Sequence, residues 1–258
     1  MSSTPTAGKN VGKGIETLTS KLTYNKQYSA EATSSGQYKD ILDGQHPDVT
    51  LVTCSDSRVW ERSLDDQIGK IFTIKNIGNR VEPNLGSIEY GVGHLHTPIL
   101  MIMGHTGCGA VHASTLELKD EHARILKSLD FIKPTVAEVQ KLLIRKGGIA
   151  SYLKETKSKP VTKISEETFF ETLVTEANVD RQIEHLLNDV SIRNLVYTGK
   201  LMIVGTIYDF KDIYSKKKGS VFVINVNGET DVEKLKKLAA AGGDGRIVAG
   251  NIKRLLVH

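Results

Sequence analysis

Only two cysteines occur in 258 residues, which excludes a scaffold stapled by disulfides. No run approaches the roughly 18 apolar residues of a membrane-spanning helix. Residues 1–14 are rich in Ser, Thr, Gly and Lys and lack the apolar stretch of a signal peptide. An excess of one charge is missing too. The 34 basic and 30 acidic residues leave a net charge of +4, too small to argue for nucleic acid. The densest basic cluster, Lys216-Lys217-Lys218, reads as a solvated loop. Neither a P-loop nor a G-x-G-x-x-G following a strand is present, which removes the nucleotide-binding readings. A cytoplasmic compartment is expected, and its reducing conditions would keep both thiols available to a metal.

What is present is a globular balance of 39% hydrophobic and 25% charged residues, ample for a core. The length accommodates one large domain or two small ones. Short apolar runs read as buried strands at 49–53, 70–74, 98–103 and 201–208. A fifth, 220–226, alternates and is expected antiparallel to its neighbour. Helical spacing marks 15–43, with a break at Ser34-Ser35-Gly36, then 87–96, 110–129, 135–145 and 166–187. Residues 147–163 read as irregular. The tail 231–258 reads as one helix, a break at Gly242-Gly243-Asp244-Gly245 and a second apolar segment. Strands alternating with helices imply an α/β fold with a largely parallel sheet.

The two cysteines fall in two short segments, Cys54-Ser55-Asp56-Ser57-Arg58 and His105-Thr106-Gly107-Cys108. Cys54 directly follows the first strand and His105 the third. In open α/β sheets, ligands gather outside the carboxyl ends of the strands, so the two segments converge. Two thiolates and one imidazole suit Zn²⁺, and three protein ligands leave a fourth position open, as in catalytic zinc sites. A lone cysteine is ordinarily a small buried apolar residue, and a lone histidine ordinarily fills no metal role. It is the joint placement at strand ends that favours metal. An exchangeable Cys54–Cys108 disulfide is the alternative. Asp56 and Arg58 either form a charge-assisted pair beside the metal or cap a helix start.

Cys-Ser-Asp-Ser-Arg-Val, followed about 50 residues later by His-x-x-Cys-Gly, resembles the β-class carbonic anhydrases. Asn76-Ile77-Gly78-Asn79, Ser87-Ile88-Glu89-Tyr90-Gly91-Val92, Asn178-Val179 with Gln182, and Gly205-Thr206-Ile207-Tyr208-Asp209 are similar to further segments of that family. The resemblance runs from about Gln45 to Val226. It implies one Zn²⁺ per chain held by Cys54, His105 and Cys108, with Asp56 and Arg58 as a catalytic dyad. Gln45 and Tyr90 match substrate-pocket residues, Gln45 often contributed across a dimer interface. The implied activity is reversible hydration of CO₂ to bicarbonate and a proton through zinc-bound hydroxide. The implied fold is a four- to five-stranded, mostly parallel central sheet flanked by helices. N-terminal helices, here 15–43, would embrace the partner of a homodimer, which in some members assembles into tetramers or larger.

The family rests in two forms, one with water on zinc and one with the Asp swung onto it. The second is stabilised by bicarbonate near a Trp three residues before the first Cys. Leu51 stands at that place and Lys75 replaces the usual Arg, so the open form is expected. A single domain over 1–258 is expected, with 1–13 a disordered tail and 229–258 an extension beyond the family body, of surface or assembly role. Residues 113–165 are longer and richer in Lys than the usual connection. His94, His96 and His112 are candidate proton shuttles, though structural or surface roles are the ordinary reading. Two other activities compete: hydrolysis of a CO₂ analogue, COS or CS₂, and a catalytically silent zinc-binding assembly protein.

Overall fold

The computed structural model describes residues 10–241 and 249–257. The chain divides into two compact units, Met1–Gln45 and His46–His258, where the sequence suggested one domain. In the first, helix α1 (Asn10–Ser35) gives way to a turn and a 3₁₀ turn at Lys39–Ile41. Residues 10–13, expected in a disordered tail, belong to α1; residues 1–9 lie outside the described residues. Tyr28 and Tyr38 hydroxyls meet at 3.0 Å and Gln37 Nε2 donates to Tyr28 at 2.9 Å, closing the turn onto the helix.

The second unit runs β1 (Val49–Cys54), β2 (Ile71–Asn76), α2 (Leu85–Glu89) continuing as a π turn over Tyr90–His94, and β3 (Ile99–His105). Then follow α3 (Gly109–Ser114), α4 (Ala123–Leu129), α5 (Lys133–Arg145), α6 (Ile149–Glu155), α7 (Glu166–Asn188) and α8 (Val190–Tyr197). The unit continues with β4 (Met202–Asp209), β5 (Ser220–Val226) and α9 (Val232–Ala241). The five strands form one sheet in the order β2-β1-β3-β4-β5. The first four are parallel, and β5 is antiparallel to β4. β1 and β4 are buried along nearly their whole length, as parallel strands covered on both faces must be. No helix among the described residues is long and apolar enough to cross a membrane.

Connections leave β1 toward β2 on one side and β3 toward β4 on the other. The carboxyl ends of β1 and β3 therefore flank the switch point where α/β sheets place their ligands. Behind them lies α7, whose N-cap Ser165 accepts from Thr168 N at 3.1 Å. Gly205 on β4 permits its close approach: a Cβ there would stand 2.8 Å from both Val179 and Ile183.

Four segments depart from the sequence reading. The stretch 110–129 breaks into α3 and α4, because 115–122 carries mostly charged and polar residues with too few apolar ones to bury a helical stripe. Residues 147–163 contain α6, whose Tyr152 is buried and donates to Leu255 O at 2.8 Å. Helix α8 went unread; its signal is Asp189, which caps it by accepting from Ser191 N and Ile192 N. The segment 229–258 also contributes core, not surface alone. Val223 bridges in parallel to Ile252, and Arg254, Leu255 and Leu256 are buried. The Gly242-Gly243-Asp244-Gly245 break lies outside the described residues.

Candidate metal centre

Cys54 ends β1 and His105 ends β3, and the turn after His105 returns Cys108 to the same point. Gly107 makes that turn with φ +65°, a conformation glycine adopts without strain. The Sγ atoms of Cys54 and Cys108 are 3.9 Å apart, and both thiols are free. His105 is fully buried. Its Nδ1 faces Thr106 O at 3.2 Å, so Nδ1–H donates there and the Nε2 lone pair points the other way. Nε2 is buried and has no hydrogen-bond partner among the described residues. One ligand atom from each of the three residues lies within 4.8 Å of the others. A buried acceptor nitrogen left unpaired beside two thiols is the cost a metal ion removes. The N, S, S donor set fits Zn²⁺. The thiols perturb each other through their shared hydrogen bond: Cys54 is lowered to about 4, while Cys108 is held above its usual value. One proton of the pair is therefore readily lost, as thiolate ligation requires.

Asp56 stands at the rim of this group, with Oδ2 3.9 Å from His105 Nε2. Arg58 holds it three ways. Its backbone N and Nε donate to Oδ1 at 3.0 and 2.9 Å, and Nη2 donates to Oδ2 at 2.7 Å. Nη2 also donates to Gly107 O at 3.1 Å, and the guanidinium lies 4.5 Å over the Phe210 ring. This bidentate clamp keeps the Asp56 carboxyl well below the usual carboxylate range and raises Arg58 in return. Asp56 is ionised, and Arg58 fixes its orientation.

Sequence reasoning left Thr106 and Asp209 without a role in the site. Thr106 Oγ1 donates to Asp209 Oδ1 at 3.3 Å and accepts from Phe210 N at 3.1 Å. Asp209 ends β4 and is buried. Its carboxylate accepts from the backbone N of Lys211 and Tyr214 at 3.1 and 2.7 Å. The pair thus pins the loop that places Phe210 beneath Arg58. The readable signal was position: Asp209 ends the strand beside β3. The structure brings Cys54, His105, Cys108, Asp56 and Arg58 together. Tyr90 is half exposed and packs against Phe72 and His94, with ring centroids 5.9 and 4.7 Å away. Gln45 is the last residue of the N-terminal unit and is exposed.

A Cys₂His group able to hold a metal ion, at the switch point of a mostly parallel sheet with an Arg-clamped carboxylate at its rim, defines a class of α/β protein. The sequence profile of the family described as "Carbonic anhydrase" matches residues 49–221, and the chain belongs to this family, in its β class. A carbonic anhydrase of Synechococcus elongatus is 30% identical over 180 residues, 67% of this chain and 60% of that protein. The chloroplastic beta carbonic anhydrase 5 of Arabidopsis thaliana is 28% identical over 189 residues, 70% of this chain and 57% of that protein. The chain thus spans less than two-thirds of the length of these curated relatives. Among solved structures, a tetrameric β-carbonic anhydrase of Sordaria macrospora superposes with TM-score 0.65 at 22% identity, over 81% of this chain and 98% of that one. The Coccomyxa β-carbonic anhydrase in complex with acetazolamide gives 0.60 at 21%, over 85% and 91%.

Proposed function

We propose that this chain catalyses the reversible hydration of CO₂ to bicarbonate and a proton, with one Zn²⁺ held by Cys54, His105 and Cys108. The observation that carries the reading is Asp56, ionised, clamped by Arg58, and 3.9 Å from the unpartnered Nε2 of His105. A structural zinc site has no use for such a group. Zn²⁺ bound here would supply acidity, lowering the pKa of a water molecule toward about 7. Asp56 would accept a hydrogen bond from the attacking water and hold it oriented toward the substrate carbon. Arg58 keeps the carboxylate charged and in register. The new C–O bond makes bicarbonate, and the proton passes to buffer. Gln45 is proposed to donate to a substrate oxygen, and Tyr90 to line the pocket, in a homodimer or tetramer embraced by α1. That the Sordaria relative is tetrameric supports oligomerisation alone.

The open resting form is proposed as well. Both Asp56 oxygens are engaged by Arg58, so binding metal directly would mean giving up that clamp. Leu51, at the position where a Trp would favour closure, is fully buried with Val59, Met103 and Tyr208. The deciding experiment measures metal content and stopped-flow CO₂ hydration on one sample, with COS and CS₂ as parallel substrates. One zinc per chain with rapid CO₂ hydration is expected. Metal without CO₂ turnover would overturn the reading.

Arg58 yields a sharper test. Arg58→Lys retains the charge but cannot present two parallel donors to one carboxylate. Its kcat is expected to fall about tenfold, the equivalent of ~1.4 kcal/mol, with zinc retained. Full activity in the lysine variant would show that charge alone suffices.

A further inference from the structure

A second group of ligating side chains lies outside the Cys54–His105–Cys108 centre, where α3 meets the first two turns of α7. His112 Nδ1 stands 2.6 Å from Glu171 Oε1 and 3.8 Å from Glu167 Oε1. One donor atom from each of the three lies within 4.8 Å of the others. Glu167 and Glu171 are four apart, so they share one face of α7. Two rigid elements therefore deliver one nitrogen and two oxygens to a single point.

Charge at this point does not balance. Two carboxylates converge on one imidazole, and among the described residues no Lys or Arg forms an ion pair with either. The positive start of α7 accounts for Glu166 and Glu167, which lie in its first turn. It does not account for Glu171, one turn deeper. The Glu171 side chain is only 10% exposed, whereas those of His112 and Glu167 are 48% and 69% exposed. The imidazole is the sole side-chain partner of that carboxylate among the described residues. Buried carboxylates are ordinarily matched by a full cation or a metal ion.

We propose that His112, Glu167 and Glu171 form a second divalent-cation site, for a first-row transition ion such as Zn²⁺ or Co²⁺. A mixed imidazole and carboxylate set suits these ions. The cation takes the place of the proton shared between His112 Nδ1 and Glu171 Oε1. Opening that 2.6 Å contact slightly accommodates metal–donor distances of about 2.0–2.2 Å. Glu167, on the helix surface, turns in as the third ligand, and water completes the shell. Because α3 begins immediately after Cys108, the site ties the helix behind one thiol to α7.

The test is a titration of the full chain with Co²⁺ alone, read by equilibrium dialysis and by absorption. Two equivalents are expected. The first gives the thiolate-to-cobalt charge-transfer band of the cysteine centre, and the second binds more weakly and adds no such band. His112→Ala, at a half-exposed position that folding tolerates, is expected to lose the second equivalent and keep the band. Glu171→Gln should weaken the second equivalent at least tenfold. A parent protein whose only equivalent carries the thiolate band, or a His112→Ala variant that loses no equivalent, overturns the proposal. Absence of the band would count against the cysteine centre alone, since dialysis counts the second site independently.

Discussion

Asp56→Ala is expected to retain about one zinc per chain while CO₂ hydration falls by on the order of 10²-fold or more. Metal retention follows from the geometry, because the three ligand atoms belong to Cys54, His105 and Cys108 and are held by the ends of β1 and β3. The loss follows from chemistry. In the proposed mechanism Asp56 alone accepts the hydrogen bond that turns the attacking lone pair toward CO₂, and alanine removes that acceptor. Asp56→Asn should be nearly as damaging, since its amide offers one acceptor and no charge and cannot engage both Arg58 donors. The variants should also differ in acid. Arg58 holds the folded-state Asp56 carboxyl below its unfolded value of about 3.9. The folded state thus binds fewer protons in that window, and the pair contributes stability above it that is lost as pH falls. Denaturant midpoints between about pH 5 and pH 2 should therefore drop less in Asp56→Ala than in the parent. Unaltered CO₂ hydration in Asp56→Ala would remove the dyad from the mechanism.

What could be read from sequence follows from where the information is local. The strands of the sheet are apolar on both faces, so 49–53, 98–103 and 201–208 announce themselves as runs. The cysteine and histidine segments sit at the ends of two such runs, and strand topology alone makes them converge. Asp56 and Arg58 are two residues apart, so their pairing needs no tertiary knowledge. The remainder depends on contacts between distant residues. Thr106 meets Asp209 across 103 positions, and no spacing rule anticipates that. Helix α6 was obscured by the Gly and Lys around it, yet Tyr152 anchors it to Leu255, also 103 residues away. The pair His112 and Glu171 is similarly invisible, because each residue alone is an ordinary charged position on a helix.

Arg254→Met is expected to destabilise the protein by about 3–5 kcal/mol, lowering Tm by on the order of 10 °C. The guanidinium is 2% exposed. Its Nη atoms bind the Asp180 carboxylate, Nη1 also donates to Ile224 O at 3.3 Å, and Nε donates to Leu256 O at 2.7 Å. Beside it, Glu176 is fully buried and accepts from Tyr214 Oη at 2.6 Å, Leu255 N at 2.9 Å and Leu256 N at 2.6 Å. Burial pushes the Glu176 carboxyl up, and the charge of Arg254 is the first force opposing that. Methionine fills much of the volume but leaves two carboxylates of α7, facing the C-terminal segment, without their cation. Glu176 then rises further above its unfolded value. A carboxyl raised in the folded state binds the extra proton there, so the variant should be least impaired relative to the parent in acid and lose ground as pH climbs. Adding Glu176→Gln and Asp180→Asn removes both orphaned charges and should restore part of the loss. If Tm stays within about 2 °C of the parent, well short of the shift that several kcal/mol produces, these carboxylates are solvated instead. The segment 251–257 would then be a loose cover on β5 rather than a part of the core.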